Sequence, residues 1–121
     1  MRFSIIVPTH NEEKDIGATI RVLCALEHRD FDVLIVDDSS DRTPEIVRAS
    51  ADMRVHYLRQ TRGKGRSAAR NQGILAASGE IVVILNADVH LPADFLSRLD
   101  VHYDSGADYV MVESRVSNTE A

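Results

Sequence analysis

The amino-acid sequence predicts an α/β fold in which a mostly parallel sheet carries helices on both faces. Short runs of β-branched and aliphatic residues alternate with helical patterns, which is typical of strand–helix–strand units with right-handed crossovers. The runs are apolar without interruption, as in residues 81–85, and such runs suit parallel strands that are covered on both sides. The length of 121 residues, with 44% hydrophobic and 27% charged residues, indicates one globular domain that spans residues 1–121.

Each predicted strand is a short apolar run, and the run at residues 54–58 is the weakest. The five predicted strands lie at residues 3–7, 32–36, 54–58, 81–85 and 108–112. Because the carboxyl ends of parallel strands share one edge of the sheet, the residues that follow each strand are the candidates for function.

The helices between the strands are predicted from caps and periodicity. Asn11 is predicted to cap the first helix, with Glu12 and Glu13 in its first turn and an apolar face formed by Ile16, Ile20 and Leu23. Thr43-Pro44-Glu45 has the pattern of a helix start, with Thr43 as the capping hydroxyl.

Two further helices are predicted before the fifth strand. The alanine-rich segment 65–77 is predicted to be helical and to end at Gly79 as a left-handed cap. Pro92 is predicted to begin the last helix, whose apolar side carries Phe95, Leu96, Leu99 and Tyr103.

Composition also limits the compartment. Cys24 is the single cysteine, so an intramolecular disulfide is impossible and a reducing compartment fits. No apolar run approaches the roughly 20 residues that span a bilayer, and the first residues lack a signal-peptide pattern. We expect a cytoplasmic protein, or one at the cytoplasmic face of the membrane.

The charge is unevenly distributed along the chain. The net charge is −5, which argues against a nucleic-acid partner. Residues 53–79 nevertheless contain no acidic residue, whereas they contain Arg54, Arg59, Arg62, Lys64, Arg66 and Arg70. A cationic segment in an acidic chain favours a small anionic ligand, and a solvated basic face is the alternative.

The predicted strand ends bring two kinds of charge to one rim. Asp37 and Asp38 follow the second strand, Asn86 and Asp88 follow the fourth, and the basic segment follows the third. Carboxylate oxygens bind Mg²⁺ or Mn²⁺, and Arg and Lys neutralise phosphate, so the pattern suits a metal-bound phosphate ligand. Each acidic pair also suits an ordinary turn, which is the alternative at both places.

One motif in the basic segment is misleading. Residues 63–68 fit the dinucleotide pattern G-x-G-x-x-A, which has meaning only directly after the first strand of its unit. Four residues separate it from the weak third strand, so we reject a nicotinamide or flavin site.

The motifs, taken together, resemble those of the family 2 glycosyltransferases, an inverting group with the Rossmann-like GT-A fold. Five segments carry the resemblance in order, and the last is similar to the polyprenyl-phosphate sugar transferase branch. They are Ile5–Glu12, Val36–Asp41, Gly65–Gly73, Gly79–Asp88 and Ala107–Arg115. The resemblance implies a chain that binds a nucleotide diphosphate sugar, with a sheet that stops after about five strands.

The resemblance also implies roles for individual residues. Asp38 would accept hydrogen bonds from the base, with Asp37 beside it shaping the turn, and Asp88 would touch Mn²⁺ or Mg²⁺. The other residues implied in nucleotide binding are Pro8, Thr9, Asn11, Glu12, Lys64, Arg66, Arg70, Asn86 and Ala87.

Two departures from the family pattern bear on activity. Asn86 stands where the metal motif has its first Asp, which removes one charge while leaving an oxygen that can coordinate. The general base that deprotonates the sugar or lipid-phosphate acceptor is expected beyond residue 121. We therefore expect this chain to hold the donor-binding half and to bind nucleotide with little or no turnover. We also expect it to form a homodimer through the uncovered strand at 108–113 or through the apolar surface on which the acceptor half would sit.

Two other functions share features with this sequence. A phosphoacceptor signalling domain also places acids at strand ends, but its acid pair follows the first strand, and the fifth strand here offers no lysine. A non-catalytic nucleotide-binding module would keep the pocket and lack the base.

Overall fold

The computed structural model describes residues 2–88 and 91–103, with the backbone alone for residues 101–103. Within that part of the chain, strands and helices alternate throughout. The elements are β1 (Phe3–Thr9), α1 (Ile16–Cys24), β2 (Phe31–Asp37), α2 (Thr43–Arg48), β3 (Val55–Arg59), α3 (Gly65–Ala76), β4 (Ile81–Ile84) and α4 (Phe95–Tyr103). The first four predicted strands are confirmed, and the fifth lies outside the described residues.

The four strands form one parallel sheet in the order β3-β2-β1-β4. The chain moves from β1 outward to β2 and β3, and then α3 returns it past β1 to β4. Because parallel crossovers are right-handed, this reversal places α3 on the face opposite to α1 and α2. The loops beyond β1 and β4 therefore flank the point where the strand order switches, which is the usual ligand crevice of such sheets.

Alternate strand residues fill two separate cores. One face of the sheet packs against α1, α2 and α4 through buried residues that include Ile5, Val33, Leu23 and Leu96. The other face packs against α3, where Ile6, Leu34, Val36 and Ile84 meet Ala69. The predicted arrangement of a parallel sheet with helices on both faces is confirmed.

The predicted cap of the first helix is wrong. α1 begins at Ile16 after Asp15, and its first turn carries no acid, so Asn11, Glu12 and Glu13 lie in the preceding loop. Asn11 has a φ of 54°, which is left-handed, and its side-chain oxygen accepts a hydrogen bond from Ser40 N at 2.8 Å. The side chain is thus committed to another loop and not to the helix.

The predicted role of Thr43 is also corrected. α2 contains Thr43 as its first residue, and no side-chain hydrogen bond caps the helix. The Thr43 hydroxyl donates to Asp41 Oδ1 at 2.6 Å and accepts from Glu12 N at 2.9 Å. It therefore joins two loops and does not cap its own helix.

Gly79 does not form the left-handed cap that the sequence suggested. α3 ends at Ala76 with Ala77 in an extended conformation, and the glycines with left-handed φ in the described residues are Gly63 and Gly65. A Cβ on Gly79 would lie 2.6 Å from Ser4 N and 2.7 Å from Phe3 C. Close approach to β1 is therefore the reason for glycine at this position.

Candidate functional site

A cavity of about 330 Å³ opens beyond the carboxyl ends of β1 and β2, next to the start of α3. The residues that line it come from the end of β1, from the loops after β1, β2 and β3, and from the first turns of α3. They are Pro8, Thr9, His10, Glu12, Asp38, Gln60, Gly65, Arg66 and Ala69. Of the residues predicted to bind nucleotide, Pro8, Thr9, Glu12, Asp38 and Arg66 thus line one space.

The loop after β1 and the loop after β2 are fastened to each other beside this cavity. Asn11 N donates to Ser39 Oγ at 2.7 Å, and Asn11 Oδ1 accepts from Ser40 N. Glu12 N donates to Thr43 Oγ1 at the start of α2. These contacts satisfy backbone groups of both loops, so the two walls of the cavity are held together before any ligand enters.

Asp37 is fully buried and forms the centre of a hydrogen-bond network. Its Oδ1 accepts from the Thr9 hydroxyl at 2.6 Å, and its Oδ2 accepts from the Tyr57 hydroxyl at 2.7 Å and from Arg59 Nη1 at 3.3 Å. The amide and hydroxyl of Ser39 add further donors. Burial of a carboxylate needs this number of partners, so Asp37 serves to join β1, β2 and β3.

Asp38 has a different environment, because its side chain is 42% exposed and borders the cavity. Its backbone is fixed on both sides: Asp38 N donates to Thr9 O at 3.0 Å, and Asp38 O lies 2.8 Å from His10 Nδ1. Arg59 Nη2 lies 3.7 Å from Asp38 Oδ1. A carboxylate in this position offers acceptor oxygens to a ligand.

The start of α3 supplies positive charge to the cavity wall. Gly63 and Gly65 both have a φ of 86°, a left-handed conformation that suits glycine and lets the loop turn sharply into the helix. Arg66 lines the cavity, whereas Lys64 and Arg70 flank it without lining it. This end of the cavity suits an anion.

Two glutamine side chains hold the loop that leads into α3. Gln72 Oε1 accepts from Thr61 N at 2.9 Å, and Gln72 Nε2 donates to Arg59 O at 2.9 Å. Gln60 Nε2 donates to Gly63 O at 3.0 Å and to Gly65 O at 3.1 Å. The backbone of the cationic loop is therefore held by one side chain from the loop, Gln60, and one from α3, Gln72.

Asp88 lies just past β4 and is exposed, while Glu12 is half-buried in the neighbouring loop. Burial raises the pKa of Glu12, the negative charges of Asp88 and Asp15 raise it further, and Arg66 opposes them. Asp88 is therefore close enough to the cavity wall to act on Glu12 electrostatically.

Asp88 and Asn86 carry side-chain oxygen atoms, which are the ligands that Mn²⁺ and Mg²⁺ prefer. The described residues contain no group of three His, Cys, Asp or Glu side chains that alone would hold a metal. An exposed carboxylate with a neighbouring amide, Asn86, fits a cation that takes its remaining ligands from a bound phosphate.

Five supporting residues were not singled out from the sequence: Thr19, Ser39, Tyr57, Gln60 and Gln72. Thr19 could have been noticed in the sequence, because it places a hydroxyl on the apolar helix face that Ile16, Ile20 and Leu23 define. Tyr57 bonds to Asp37, which is 20 residues away, and Gln72 bonds to Arg59, which is 13 residues away, so no local pattern marks these two contacts. Ser39 and Gln60 bond to residues within five positions, in turns whose geometry the sequence does not specify.

The helices within residues 2–88 and 91–103 lack the length and apolar character needed to span a bilayer.

The chain is similar to several known proteins in sequence and in structure. The chain is 33% identical to a dolichol-phosphate mannosyltransferase of Pyrococcus furiosus, over 89% of this chain and 32% of that protein. It superposes on S. aureus TarS 1–349 in complex with UDP-GlcNAc with a TM-score of 0.77 and 29% identity, covering 87% of this chain and 32% of that one. It superposes on the mannosyltransferase PcManGT of Pyrobaculum calidifontis in complex with GDP-Man and Mn²⁺ with a TM-score of 0.73 and 33% identity, covering 79% and 30%.

The chain spans about a third of the length of these relatives. The predicted GT-A fold is confirmed, and the phosphoacceptor signalling domain is set aside. The family model for glycosyl transferase family 2 matches residues 4–121. Since that match takes in nearly every residue, the chain belongs to glycosyl transferase family 2.

Proposed function

We propose that this chain binds the donor in an enzyme that transfers a sugar from a nucleotide diphosphate sugar to an acceptor, with inversion and with metal assistance. The observation that carries the proposal is the cavity of about 330 Å³, where the Asp38 carboxylate and the Arg66 guanidinium border one space. A ligand with hydrogen-bond donors at one end and an anion at the other matches both walls, and a nucleoside diphosphate has that chemistry.

Asp38 is proposed to recognise the base. Its backbone is anchored on Thr9 and beside His10, so the carboxylate is held at the edge of the cavity with its oxygens partly open to solvent. A base N–H that donates to this carboxylate makes a charge-assisted hydrogen bond. Both UDP and GDP offer such N–H groups, and TarS and PcManGT were crystallised with a uridine and a guanosine nucleotide respectively.

The diphosphate is proposed to lie against the start of α3. Arg66 and the helix N-terminus stabilise negative charge there, and Lys64 and Arg70 add to the field from either side. The acceptor oxygen attacks the anomeric carbon as the bond from that carbon to the diphosphate breaks on the opposite side, which inverts the centre. The diphosphate leaves with increased negative charge, and these cations stabilise it more in the transition state than before.

A divalent metal is proposed at Asp88, with Asn86 beside it. When bound, Mn²⁺ or Mg²⁺ supplies a Lewis acid that neutralises charge on the departing diphosphate. Asp88 provides a carboxylate on the exposed side of the segment after β4, and Asn86 replaces a second carboxylate with a neutral oxygen donor. The crystal structure of PcManGT, which contains Mn²⁺ with GDP-Man, supports this proposal.

A sugar or a polyprenyl phosphate is proposed as the acceptor, at the cytoplasmic face of the membrane. The dolichol-phosphate mannosyltransferase among the relatives supports this acceptor class. The general base that takes the acceptor proton, and the absence of a nucleic-acid partner, stay predictions from the sequence.

The test is calorimetric titration of the chain with UDP and with GDP, each with and without Mn²⁺, for the wild type and for Asp88→Ala. We expect Mn²⁺ to strengthen binding of one nucleotide in the wild type and to have no effect in Asp88→Ala. The matched control is Asp94→Ala, because Asp94 is a partly exposed acid that pairs with Arg98 at the start of α4.

Equal Mn²⁺ enhancement in the wild type and in Asp88→Ala would show that the metal assignment is wrong. Failure of both nucleotides to bind under any condition would overturn the donor-binding function. A second candidate, a non-catalytic nucleotide-binding module, is favoured by the neutral Asn86 in the metal motif. Nucleotide binding without sugar transfer to any added acceptor would support that candidate.

A further inference from the structure

The segment that carries Asp88 is attached to α1 through one buried hydroxyl. Thr19 is 3% exposed, and its Oγ1 donates to Ala87 O, which is 68 residues away along the chain. Ala87 is 4% exposed, so both partners of this hydrogen bond are shielded from water. A buried hydrogen bond between such distant positions fixes one element relative to another.

The residue type at position 19 has no explanation from packing alone. Thr19 lies on the face of α1 that Ile16, Ile20 and Leu23 bury against the sheet, where an aliphatic residue of the same shape would avoid a polar group. A helical threonine hydroxyl often bonds back to the carbonyl one turn earlier. Here the backbone N–H of Thr19 bonds to that carbonyl, Asp15 O, while the hydroxyl reaches Ala87.

The hydrogen bond from Thr19 lies beyond the last residue of β4 that pairs with β1. The paired register of β4 with β1 ends at Ile84, and Leu85 N adds one more bond to Ile6 O at 2.9 Å. Ala87 lies two residues further on. Its carbonyl belongs to the planar peptide unit that leads directly into Asp88, so the bond from Thr19 restricts the orientation of that unit and of the Asp88 Cα.

The same helix also supports the nucleotide cavity. The loop that precedes α1 contributes His10 and Glu12 to the cavity wall, and it is fastened to the loop after β2 through Asn11 and Ser39. α1 therefore connects the wall of the cavity with the segment that carries Asp88.

We propose that Thr19 is a positioning residue for the metal site, and that its hydroxyl holds Asp88 where it meets a cation bound to the nucleotide diphosphate. The inference rests on the proposed function, since it takes Asp88 as the metal-binding residue. Thr19 itself touches neither the metal nor the nucleotide.

The experiment measures, for each variant, the ratio of the nucleotide dissociation constant without Mn²⁺ to that with Mn²⁺. Thr19→Val keeps the shape of the side chain and removes the hydroxyl, whereas Thr19→Ser keeps the hydroxyl. Residues that support metal ligands typically change metal affinity by 10-fold or more, so we expect Thr19→Val to reduce the ratio by about 10-fold. Nucleotide affinity without Mn²⁺ is expected to remain near that of the wild type, and Thr19→Ser is expected to restore the ratio.

The matched control is Ser4→Ala, which removes a buried hydroxyl at the opposite end of the sheet. Ser4 Oγ donates to Asp32 Oδ1 at 2.9 Å and accepts from Gly79 N at 2.8 Å. Thermal unfolding of every variant is recorded, so that a general loss of stability can be detected at position 4 as well as at position 19. Thr19→Ala replaces Thr19→Val if the latter does not fold.

The outcomes separate this inference from the proposed function. Loss of the Mn²⁺ ratio in Thr19→Val and Asp88→Ala, but not in Ser4→Ala or Thr19→Ser, supports the inference. A wild-type ratio in Thr19→Val together with a lost ratio in Asp88→Ala overturns the inference and leaves the proposed function standing. Equal loss in Ser4→Ala and Thr19→Val overturns the inference as an effect of stability. An unchanged ratio in Asp88→Ala overturns the metal assignment and the inference together.

Discussion

Asp37 and Asp38 are neighbours in the sequence but have different roles in the structure. Asp37 has no exposed surface and receives hydrogen bonds from Thr9, Ser39, Tyr57 and Arg59. Asp38 keeps 42% of its side chain exposed at the rim of the cavity. The sequence placed both at a strand end, and in the structure the side chain of Asp37, the last residue of β2, is buried, whereas Asp38 follows the strand and borders the cavity.

This difference predicts opposite effects of two single substitutions. Asp37→Ala should lower the free energy of unfolding by about 3 kcal/mol, because several buried donors lose a charged acceptor. Asp38→Ala should leave that free energy nearly unchanged and weaken nucleotide binding several-fold. Urea unfolding and calorimetry on the same samples check both effects. A weaker nucleotide affinity in a fully stable Asp37→Ala chain would contradict the assignment.

For single residues, the local sequence predicted which charged side chains border the cavity better than it predicted hydrogen-bond partners. Asp38 and Arg66 were predicted from strand ends and local charge, and both line the cavity. The cap at Asn11 was wrong because its partner, Ser40, lies 29 residues away, and no spacing rule connects the two. The residue roles that depend on a ligand stay predictions.

The packing of α3 on the sheet depends on the absence of a side chain at Gly73. A Cβ at that position would lie 2.5 Å from Ile6 Cγ2, in the core that α3 shares with β1. Gly17 in α1 differs, since a Cβ there would meet Ile46 Cγ2 at an ordinary 3.6 Å.

Alanine at these two helical glycines should therefore have opposite effects. Gly73→Ala should destabilise the chain by about 1–3 kcal/mol, because the helix or Ile6 must shift. Gly17→Ala should be neutral or stabilising by up to about 1 kcal/mol, because alanine loses less conformational entropy in a helix. Thermal unfolding of both variants is the measurement, and equal destabilisation by the two would argue against the packing described here.

Among the elements, β2 and β4 were the most predictable strands, because their apolar runs report burial on both faces, whereas β3 is half-exposed and gave the weakest signal. Helix ends were less predictable. Gly79 follows a helix, as a cap does, but glycine is needed there because β1 passes within contact distance. A contact between positions 75 residues apart leaves no local signature.

At the end of the sheet away from the cavity, a half-buried ion pair joins Asp52 and Arg54. Asp52 Oδ2 accepts from Arg54 Nη2 at 2.6 Å, and the Arg54 guanidinium lies over the Phe31 ring at 4.2 Å. Hydrogen bonds from Arg54 hold the pKa of Asp52 well below its usual range. Burial and a hydrogen bond to Asp52 raise the pKa of the Cys24 thiol to about 11, so that thiol stays protonated at neutral pH.

The lowered pKa of Asp52 predicts how the stability of the whole chain depends on pH. A depressed carboxyl pKa contributes stability above its unfolded pKa of about 4, and this contribution is lost as the pH falls below that value. Asp52→Asn should therefore destabilise the chain by about 2 kcal/mol near pH 7 and by clearly less near pH 3.

Urea unfolding of the wild type and the variant at both pH values measures the difference. Asp94→Asn is the control, since its exposed pair with Arg98 is worth less than about 1 kcal/mol. A destabilisation by Asp52→Asn that is the same at both pH values would contradict the pKa assignment.

For the molecule as a whole, the fold class and the location of the site followed from the alternation of strands and helices. The strand order did not, because a change of direction after β3 depends on long-range pairing. The strand at 108–113 lies outside the described residues, and self-association through it or through the apolar surface for the acceptor half stays a prediction.

The strand order also determines the sequence of events during folding. β2 pairs with β1 and β3 pairs with β2, so these pairings join strands that are consecutive in the sequence. β4 pairs with β1 instead, with Ile81 opposite Phe3, although β2 and β3 lie between them in the sequence. Closing the longer loop costs more chain entropy, so the pairing of β4 is favoured only after the first three strands exist. We expect the segment that ends in Asp88 to pair last, so that a partly folded chain has the rim that carries Asp38 before it has the proposed metal-binding residue. If a nucleotide–metal complex binds only the completed sheet, as the proposed function implies, it stabilises the final step of assembly.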